Sequence, residues 1–178
     1  AAGLLARMYL NSNVYTGVER WAEAKAVCEA VFDMGYSLCP DYAALFRGDN
    51  GTNMQARGEM LWAIGYNAEK TQSYGGTSYI LSAALASTDI TDQSRPNGQR
   101  NGWAGLRVPY EYVSKYYGVS GQDYETGTYQ VDDKRGEVFY IKGRSESMDG
   151  ALYNFMNGWS CLKFNNIPHD MTDETYLP

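Results

Sequence analysis

The amino-acid sequence predicts a mainly α fold with long irregular segments, in which one helix pair precedes a loop-rich region with a few short strands. Two observations support this prediction. Residues 1–35 have sustained helical periodicity, because apolar residues recur there at intervals of three or four. After residue 35 the apolar runs are short, and turn-forming residues separate them, most densely in the segment 87–105.

The first 35 residues divide into two predicted helices. Each carries one apolar face, the first with Leu4, Leu5, Met8 and Tyr9, and the second with Trp21, Ala24, Cys28 and Val31. Thr16 and Glu19 have the spacing of a capping box, and Gly35 is suited to end the second helix. Because the polar connection 11–15 is short, we expect an antiparallel hairpin, the region 1–35, with Cys28 buried as a small apolar residue.

This hairpin has the residue pattern of a tetratricopeptide-type repeat, in which an aromatic residue is followed by a small one and then by bulkier apolar residues. Repeats of this kind need neighbours to cover their apolar faces. The remaining sequence contains no second copy, and the first predicted helix lacks a capping residue. We therefore expect the chain to be a fragment of a longer protein.

The region 36–178 is predicted to be rich in loops. Asp41 should cap a short helix that ends near Phe46, and the polar stretch 49–58 should be a loop. The apolar run EMLWAIGY, residues 59–66, favours a buried strand with Trp62 in the core, as Trp21 should be in its helix. The run 79–86 is compatible with either a helix or a strand.

The last third should contain one helix and one pair of strands. Pro109 suits the start of a helix, and Gly118 suits its end. The stretch 119–132 should be a polar loop, while 138–142 should be a strand with 161–164 as its partner. The sequence after residue 164 has no periodicity.

Composition and charge exclude several kinds of function. The 178 residues include 15 Lys and Arg and 21 Asp and Glu, so the formal net charge is −6 and nucleic acid is a poor partner. Three cysteines without CxxC spacing predict neither a disulfide framework nor a zinc site. The longest apolar run is far shorter than a membrane span, and no motif predicts a metal or other cofactor.

The predicted function is not enzymatic. A serine or cysteine nucleophile needs a base, and His169 is the only histidine, in an irregular acidic segment. Paired carboxylates could serve a glycoside hydrolase, and the 21 acidic residues offer many pairs, but no pair is distinguished by its sequence context. The hydrolase therefore stays an alternative without a supporting motif.

The candidate ligand-binding residues are aromatic and polar side chains in or near predicted loops. Trp103 lies between glycines in NGWAG, where a loop could expose its indole for stacking, although the same ring could anchor the loop. Glycines would also bring Tyr74 and Tyr79 near a ligand, with packing as the alternative. Polar contacts could come from Arg100, Asn101 and Arg107, the last being equally suited to a structural ion pair.

In order, the pieces of this sequence resemble the SusD-like family, also called RagB/SusD, of outer-membrane nutrient-binding lipoproteins. The resemblance rests on AAGLLARMYL before ERWAEAKAVCEAV, then YSLCPDYAALF, EMLWAIGY, NGWAGLRVPYEYV and finally DDKRGEVFY followed by LKF. None of these is a strict signature alone. Their order and spacing extend over most of residues 1–164.

The resemblance implies a scaffold of tetratricopeptide-like helix pairs with a ligand face of irregular segments, so that residues 1–178 would be part of one such domain. It also implies capture of oligosaccharide or polysaccharide, at the cell surface of the outer membrane, for a SusC-type TonB-dependent barrel. A lipid anchor absent from this fragment would provide the membrane attachment. Two alternatives remain open, a helical scaffold that binds protein and a SusD-like protein that binds peptide.

Overall fold

The computed structural model describes residues 1–66, 70–71, 73–91 and 93–169. Within these ranges the α-helices are α1 Ala2–Leu10, α2 Ser12–Thr16, α3 Trp21–Phe32, α4 Met54–Glu59, α5 Gly76–Ala83 and α6 Tyr110–Tyr117. The strands are β1 Ser120–Asp123, β2 Thr128–Gln130, β3 Phe139–Tyr140 and β4 Ser160–Cys161. Short 3-10 helices cover Tyr42–Phe46, Ser87–Asp89 and Lys134–Val138. The mainly α class with long irregular segments and few short strands is confirmed, and the tetratricopeptide-like character of the helix pair stays a prediction.

The chain forms two compact units. The first consists of Ala1–Pro40 and Thr52–Gly65, and the second of the described residues of Asp41–Gly51 and Tyr66–Pro178. The first unit holds α1 to α4, and the second holds the remaining helices and both sheets. That residues 1–178 are part of one SusD-like domain stays a prediction.

In the first unit, α1 packs against α3, as expected for a helix pair. Ala24 and Val31 of α3 are buried, whereas Trp21 and Cys28 are exposed, so the prediction that these two lie in the core is wrong. The apolar residues Leu4, Leu5 and Met8 of α1 are also exposed. Two helices alone bury only the residues along the narrow contact between them, so the large side chains on their other faces stay exposed.

The connection between the two main helices differs from the prediction. Residues 12–16 form the short helix α2, in which the Thr16 hydroxyl donates a hydrogen bond to the Ser12 carbonyl at 2.9 Å. Thr16 therefore bonds within α2, and α3 begins after Arg20 without a side-chain cap. The predicted capping box of Thr16 and Glu19 is wrong, because a threonine hydroxyl can equally bond the carbonyl four residues earlier.

Two further expectations for this part of the chain are wrong. The predicted loop 49–58 contains the start of α4, which is capped by Asn53 through its side-chain oxygen. The predicted strand 59–66 has no strand pairing in its described residues, and Trp62 within it is 85% exposed. An apolar run of this length does not distinguish a strand from other structure, because burial depends on what packs against it.

The core of the second unit surrounds Trp159, which is fully buried. Its ring centroid lies 5.2 Å from that of Tyr129 and 5.6 Å from that of Tyr110. The indole Nε1 donates to the Tyr124 hydroxyl at 3.3 Å, which satisfies the ring's one polar group. Burial raises the pKa of Tyr129 to about 12. Aromatic residues from several loops and strands thus make a packed core.

The elements around this core follow the prediction in part. Pro109 precedes α6 and Gly118 ends it with φ 62°, and β3 pairs antiparallel with β4, as expected. The predicted polar loop 119–132 is instead the hairpin of β1 and β2. Its turn forms because the Asp123 carboxylate accepts N–H groups two and three residues later, a turn signal that the polar composition obscures. The run 79–86, open between helix and strand, lies in α5 as far as Ala83.

Candidate functional site

The candidate site is built on the C-terminal end of α5. The last carbonyls of a helix have no partner within the helix. Here the segment 103–106 supplies N–H donors to carbonyls at the end of α5 and just after it. The Trp103 N–H donates to the Ser82 carbonyl at 2.8 Å, and the Ala104 N–H donates to the Leu85 carbonyl at 2.8 Å. The Leu106 N–H donates to the Ala83 carbonyl at 3.0 Å. The NGWAG loop is therefore held along its backbone by α5 and the residues that follow it.

Glycine is required at one position of this loop by close approach. A Cβ on Gly102 would lie 2.4 Å from the Leu85 carbonyl oxygen and 2.6 Å from the Ala86 carbonyl carbon. Both are backbone atoms, so a side chain there would force the two segments apart. The next residue, Trp103, pairs with Ala86 in an antiparallel bridge. The position of the indole is thus set by how closely residue 102 approaches the chain after α5.

We expect Gly102→Ala to weaken any binding that depends on Trp103, because the new methyl group displaces the loop. The same variant should lower the unfolding temperature, since at least one of the loop's hydrogen bonds must lengthen. Gly51→Ala is the matched control, because a Cβ on Gly51 meets no atom within 4 Å. Thermal unfolding of both variants checks the prediction. Equal unfolding temperatures for the two variants would show that the loop accommodates the methyl group.

Trp103 and Tyr74 form an aromatic pair at the surface. Their ring centroids are 6.2 Å apart with an interplanar angle of 42°. Trp103 is 43% exposed and Tyr74 is 87% exposed, so both rings keep surface in contact with water. Loop anchoring, the alternative for Trp103, is compatible with its buried portion. The pair offers two flat apolar surfaces, one of them on a loop whose backbone is fixed.

The other predicted residues lie in different settings. Tyr79 is on α5 and is 47% exposed. Arg100 and Asn101 are exposed immediately before Gly102, within two to three residues of Trp103. Polar side chains in that position can contact a ligand that lies on the indole.

Arg107 makes structural contacts. Its guanidinium donates hydrogen bonds to the backbone carbonyls of Asn154, Asn157 and Leu152 at 2.9, 2.8 and 2.9 Å. The structural role considered from the sequence was an ion pair, but these partners are carbonyl groups. Arg107, which follows the Trp103 loop in the chain, is thereby bonded to the segment 152–157.

A buried ion pair is linked to the Trp103 loop through Ala86, and it was not identified from the sequence. Asp89 and Arg144 pair with side chains that are 3% and 1% exposed, and the same Asp89 oxygen accepts the Ala86 N–H at 2.7 Å. Burial lowers the pKa of Arg144, and the Asp89 carboxylate opposes that shift. The two residues are 55 positions apart, so no local pattern indicates that they meet. Asp89 thus links Ala86, the bridge partner of Trp103, to the buried Arg144 guanidinium.

His169, the histidine considered as a catalytic base, lies in a side-chain contact with an aspartate. His169 Nε2 lies 2.7 Å from the Asp41 carboxylate, and its ring is thereby engaged by the residue that caps the first 3-10 helix. Across the described ranges, no three His, Cys, Asp or Glu side chains gather to hold a metal. No helix among them is long and apolar enough to cross a bilayer.

Comparison with known proteins identifies one relative. Over 114 residues the chain is 34% identical to the starch-binding protein SusD of Bacteroides thetaiotaomicron. The SusD-like resemblance is confirmed. The match covers 64% of this chain and 20% of SusD, so the chain spans about a fifth of its relative's length. No family model matches the chain.

Proposed function

We propose that this SusD-like protein binds glycan without converting it, and that the glycan rests on the rings of Trp103 and Tyr74. The observation that carries the proposal is the exposed aromatic pair, with centroids 6.2 Å apart, on a hydrogen-bonded loop. The C–H faces of sugar rings are apolar and flat, so they stack on aromatic rings whose surfaces are open to water.

The fixed backbone of the Trp103 loop favours binding. A loop that must be ordered when its ligand arrives loses conformational entropy, and that loss weakens affinity. Here the hydrogen bonds to α5 and the close approach at Gly102 order the loop beforehand. Little of the stacking free energy is therefore offset by entropy lost in ordering the loop.

The polar part of the proposed site comes from three exposed side chains that are near Trp103 or Tyr74 in the sequence. Arg100 and Asn101 precede Trp103 in the chain, and Tyr79 is exposed on α5. Hydroxyl groups of a sugar need donors and acceptors at its edge while its face is stacked, and these side chains provide both. We leave Arg107 out of the ligand contacts, because its guanidinium bonds three carbonyls.

The wider role is proposed from the family resemblance and from the relative, which by name binds starch. In this role the protein lies at the surface of the outer membrane and captures oligosaccharide for a SusC-type TonB-dependent barrel. The region 36–178 would supply the ligand face of the SusD-like domain. A pull-down from detergent-solubilised outer membranes tests the partnership, and recovery of no barrel protein would count against it.

Replacing Trp103 with alanine tests the binding site. Aromatic stacking on a flat ligand contributes about 1 to 3 kcal/mol per ring, so we expect the affinity for a bound oligosaccharide to fall by about 5-fold to 150-fold. Isothermal titration calorimetry against a panel of oligosaccharides measures the change. Trp62→Ala is the matched control, because Trp62 is 85% exposed but belongs to the first unit.

The outcomes separate binding from packing. A loss of affinity in Trp103→Ala, with the affinity of Trp62→Ala unchanged, supports the proposed site. If Trp103→Ala binds every glycan as the parent does, Trp103 anchors its loop and the proposed surface is wrong. Turnover of any oligosaccharide by the pure protein would instead favour a hydrolase.

A further inference from the structure

The segment 151–157, with the sequence ALYNFMN, is an exposed aromatic loop that the proposed site does not use. Tyr153 is 84% exposed and Phe155 is 46% exposed, and Leu152 beside them is exposed as well. The segment has no charged residue, although the chain as a whole carries a formal net charge of −6. The Arg107 guanidinium lies over the Phe155 ring, 5.3 Å from its centroid, so the Tyr153 ring and the exposed part of the Phe155 ring are the surfaces that a ligand with apolar faces can contact.

Two arginines hold this loop by its backbone. Arg107 bonds the carbonyls of Leu152, Asn154 and Asn157, and Arg144 donates to the Phe155 carbonyl at 2.8 Å. Guanidinium groups present several donors in a rigid plane, so they fix the carbonyls that surround them. Because both arginines bind main-chain atoms, the loop is ordered while Tyr153 remains at the surface.

The same contacts connect this loop to the Trp103 loop. Arg144 pairs with Asp89, whose carboxylate binds the Ala86 N–H, and Ala86 in turn bridges to Trp103. A second connection runs through Arg107, which is four residues after Trp103 in the chain. The Thr88 hydroxyl also contacts the Met156 sulfur at 4.0 Å, which is a further contact between the residues next to Asp89 and the segment 151–157. The buried Asp89–Arg144 pair therefore links the backbone of the segment 151–157 to the backbone that pairs with Trp103.

We propose that Tyr153 and Phe155 form a second aromatic subsite for the same ligand, and that the protein favours a glycan chain long enough to reach both subsites. This inference rests on the proposed function. Once a chain is bound at Trp103, its contact with a second subsite is intramolecular, so affinity rises with chain length.

The double variant Tyr153→Ala/Phe155→Ala tests the second subsite. Calorimetry compares a short and a long member of each series: maltotriose with maltoheptaose, cellotriose with cellohexaose, and xylotriose with xylohexaose. In the series that the parent binds, we expect the affinity of the double variant to fall about tenfold for the long chain and to stay unchanged for the trisaccharide. Trp103→Ala should weaken both lengths.

Control measurements make the result specific to the loop. Tyr116→Ala removes another exposed tyrosine of the second unit and should bind both lengths as the parent does. Circular dichroism should show that the double variant keeps the parent's fold, because the substitutions remove only the contact of the Arg107 guanidinium with the Phe155 ring and leave in place the carbonyls that both arginines bind.

Each remaining outcome has a distinct meaning. If the double variant binds the long chain as tightly as the parent does, or loses affinity equally for both lengths, the second subsite is wrong and the site at Trp103 stands. If the parent binds no member of any series, the proposed function fails and this inference fails with it.

Discussion

Replacing Arg144 with leucine is expected to lower the free energy of unfolding by about 3 to 5 kcal/mol, the cost of leaving a buried charge without its partner. The variant removes a guanidinium that is 1% exposed and leaves the Asp89 carboxylate in an environment that solvent does not reach. It also frees the Phe155 carbonyl. Because Asp89 anchors Ala86, the bridge partner of Trp103, we expect any binding that depends on Trp103 to weaken together with stability.

Denaturation by urea, followed by circular dichroism, measures the change in stability. Arg135→Leu is the matched control, since Arg135 also pairs with an aspartate, Asp133, but at the surface. We expect this control to unfold at the same urea concentration as the parent. Adding Asp89→Asn to Arg144→Leu should recover part of the loss, because the unpaired charge is removed. Unfolding of Arg144→Leu at the same urea concentration as Arg135→Leu would contradict the prediction.

Replacing Trp159 with alanine should lower the free energy of unfolding by a similar amount, about 3 to 5 kcal/mol. The indole is fully buried, and its removal leaves a cavity among Tyr110, Tyr129 and Phe139 that these rings can fill only in part. The Tyr124 hydroxyl also loses its bond to the indole N–H.

The effect of Trp159→Ala has a control with the same change in composition. Trp62→Ala removes an indole that is 85% exposed, so we expect little change in its unfolding temperature. Near-ultraviolet circular dichroism of Trp159→Ala should also lose intensity, since aromatic packing in the core is relaxed. If both variants unfold at the same temperature, Trp159 is not the centre of the second unit's core.

The ends of α6 and the start of the first 3-10 helix were predicted correctly. Pro109 and Gly118 bound α6, and Asp41 caps the 3-10 helix through its side chain, because each of these residues acts on backbone groups within a few positions. The strand pair β3 and β4 was also expected from two short apolar runs. Other interactions that are equally local were not predicted, namely the bond of Thr16 within α2, the Asn53 cap of α4 and the Asp123 turn.

Burial was predicted less well than secondary structure. Trp21 and Cys28 have helical spacing and Trp62 lies in an apolar run, yet all three are exposed. Periodicity states that residues share a face, but it does not state that another element covers that face. By contrast, Trp159, the centre of a core, lies in no periodic segment, and its hydrogen-bond partner Tyr124 is 35 positions away.

The sequence by itself determined the class of the fold, the loop that carries Trp103 and its glycines, and the resemblance to SusD-like proteins. Only the tertiary structure decided that Trp103 lies beside Tyr74, that Arg107 holds a loop, and that Asp89 meets Arg144. The physical reason is distance along the chain. Caps, turns and helical faces arise between near neighbours, whereas a surface for a ligand forms only when remote segments are packed together.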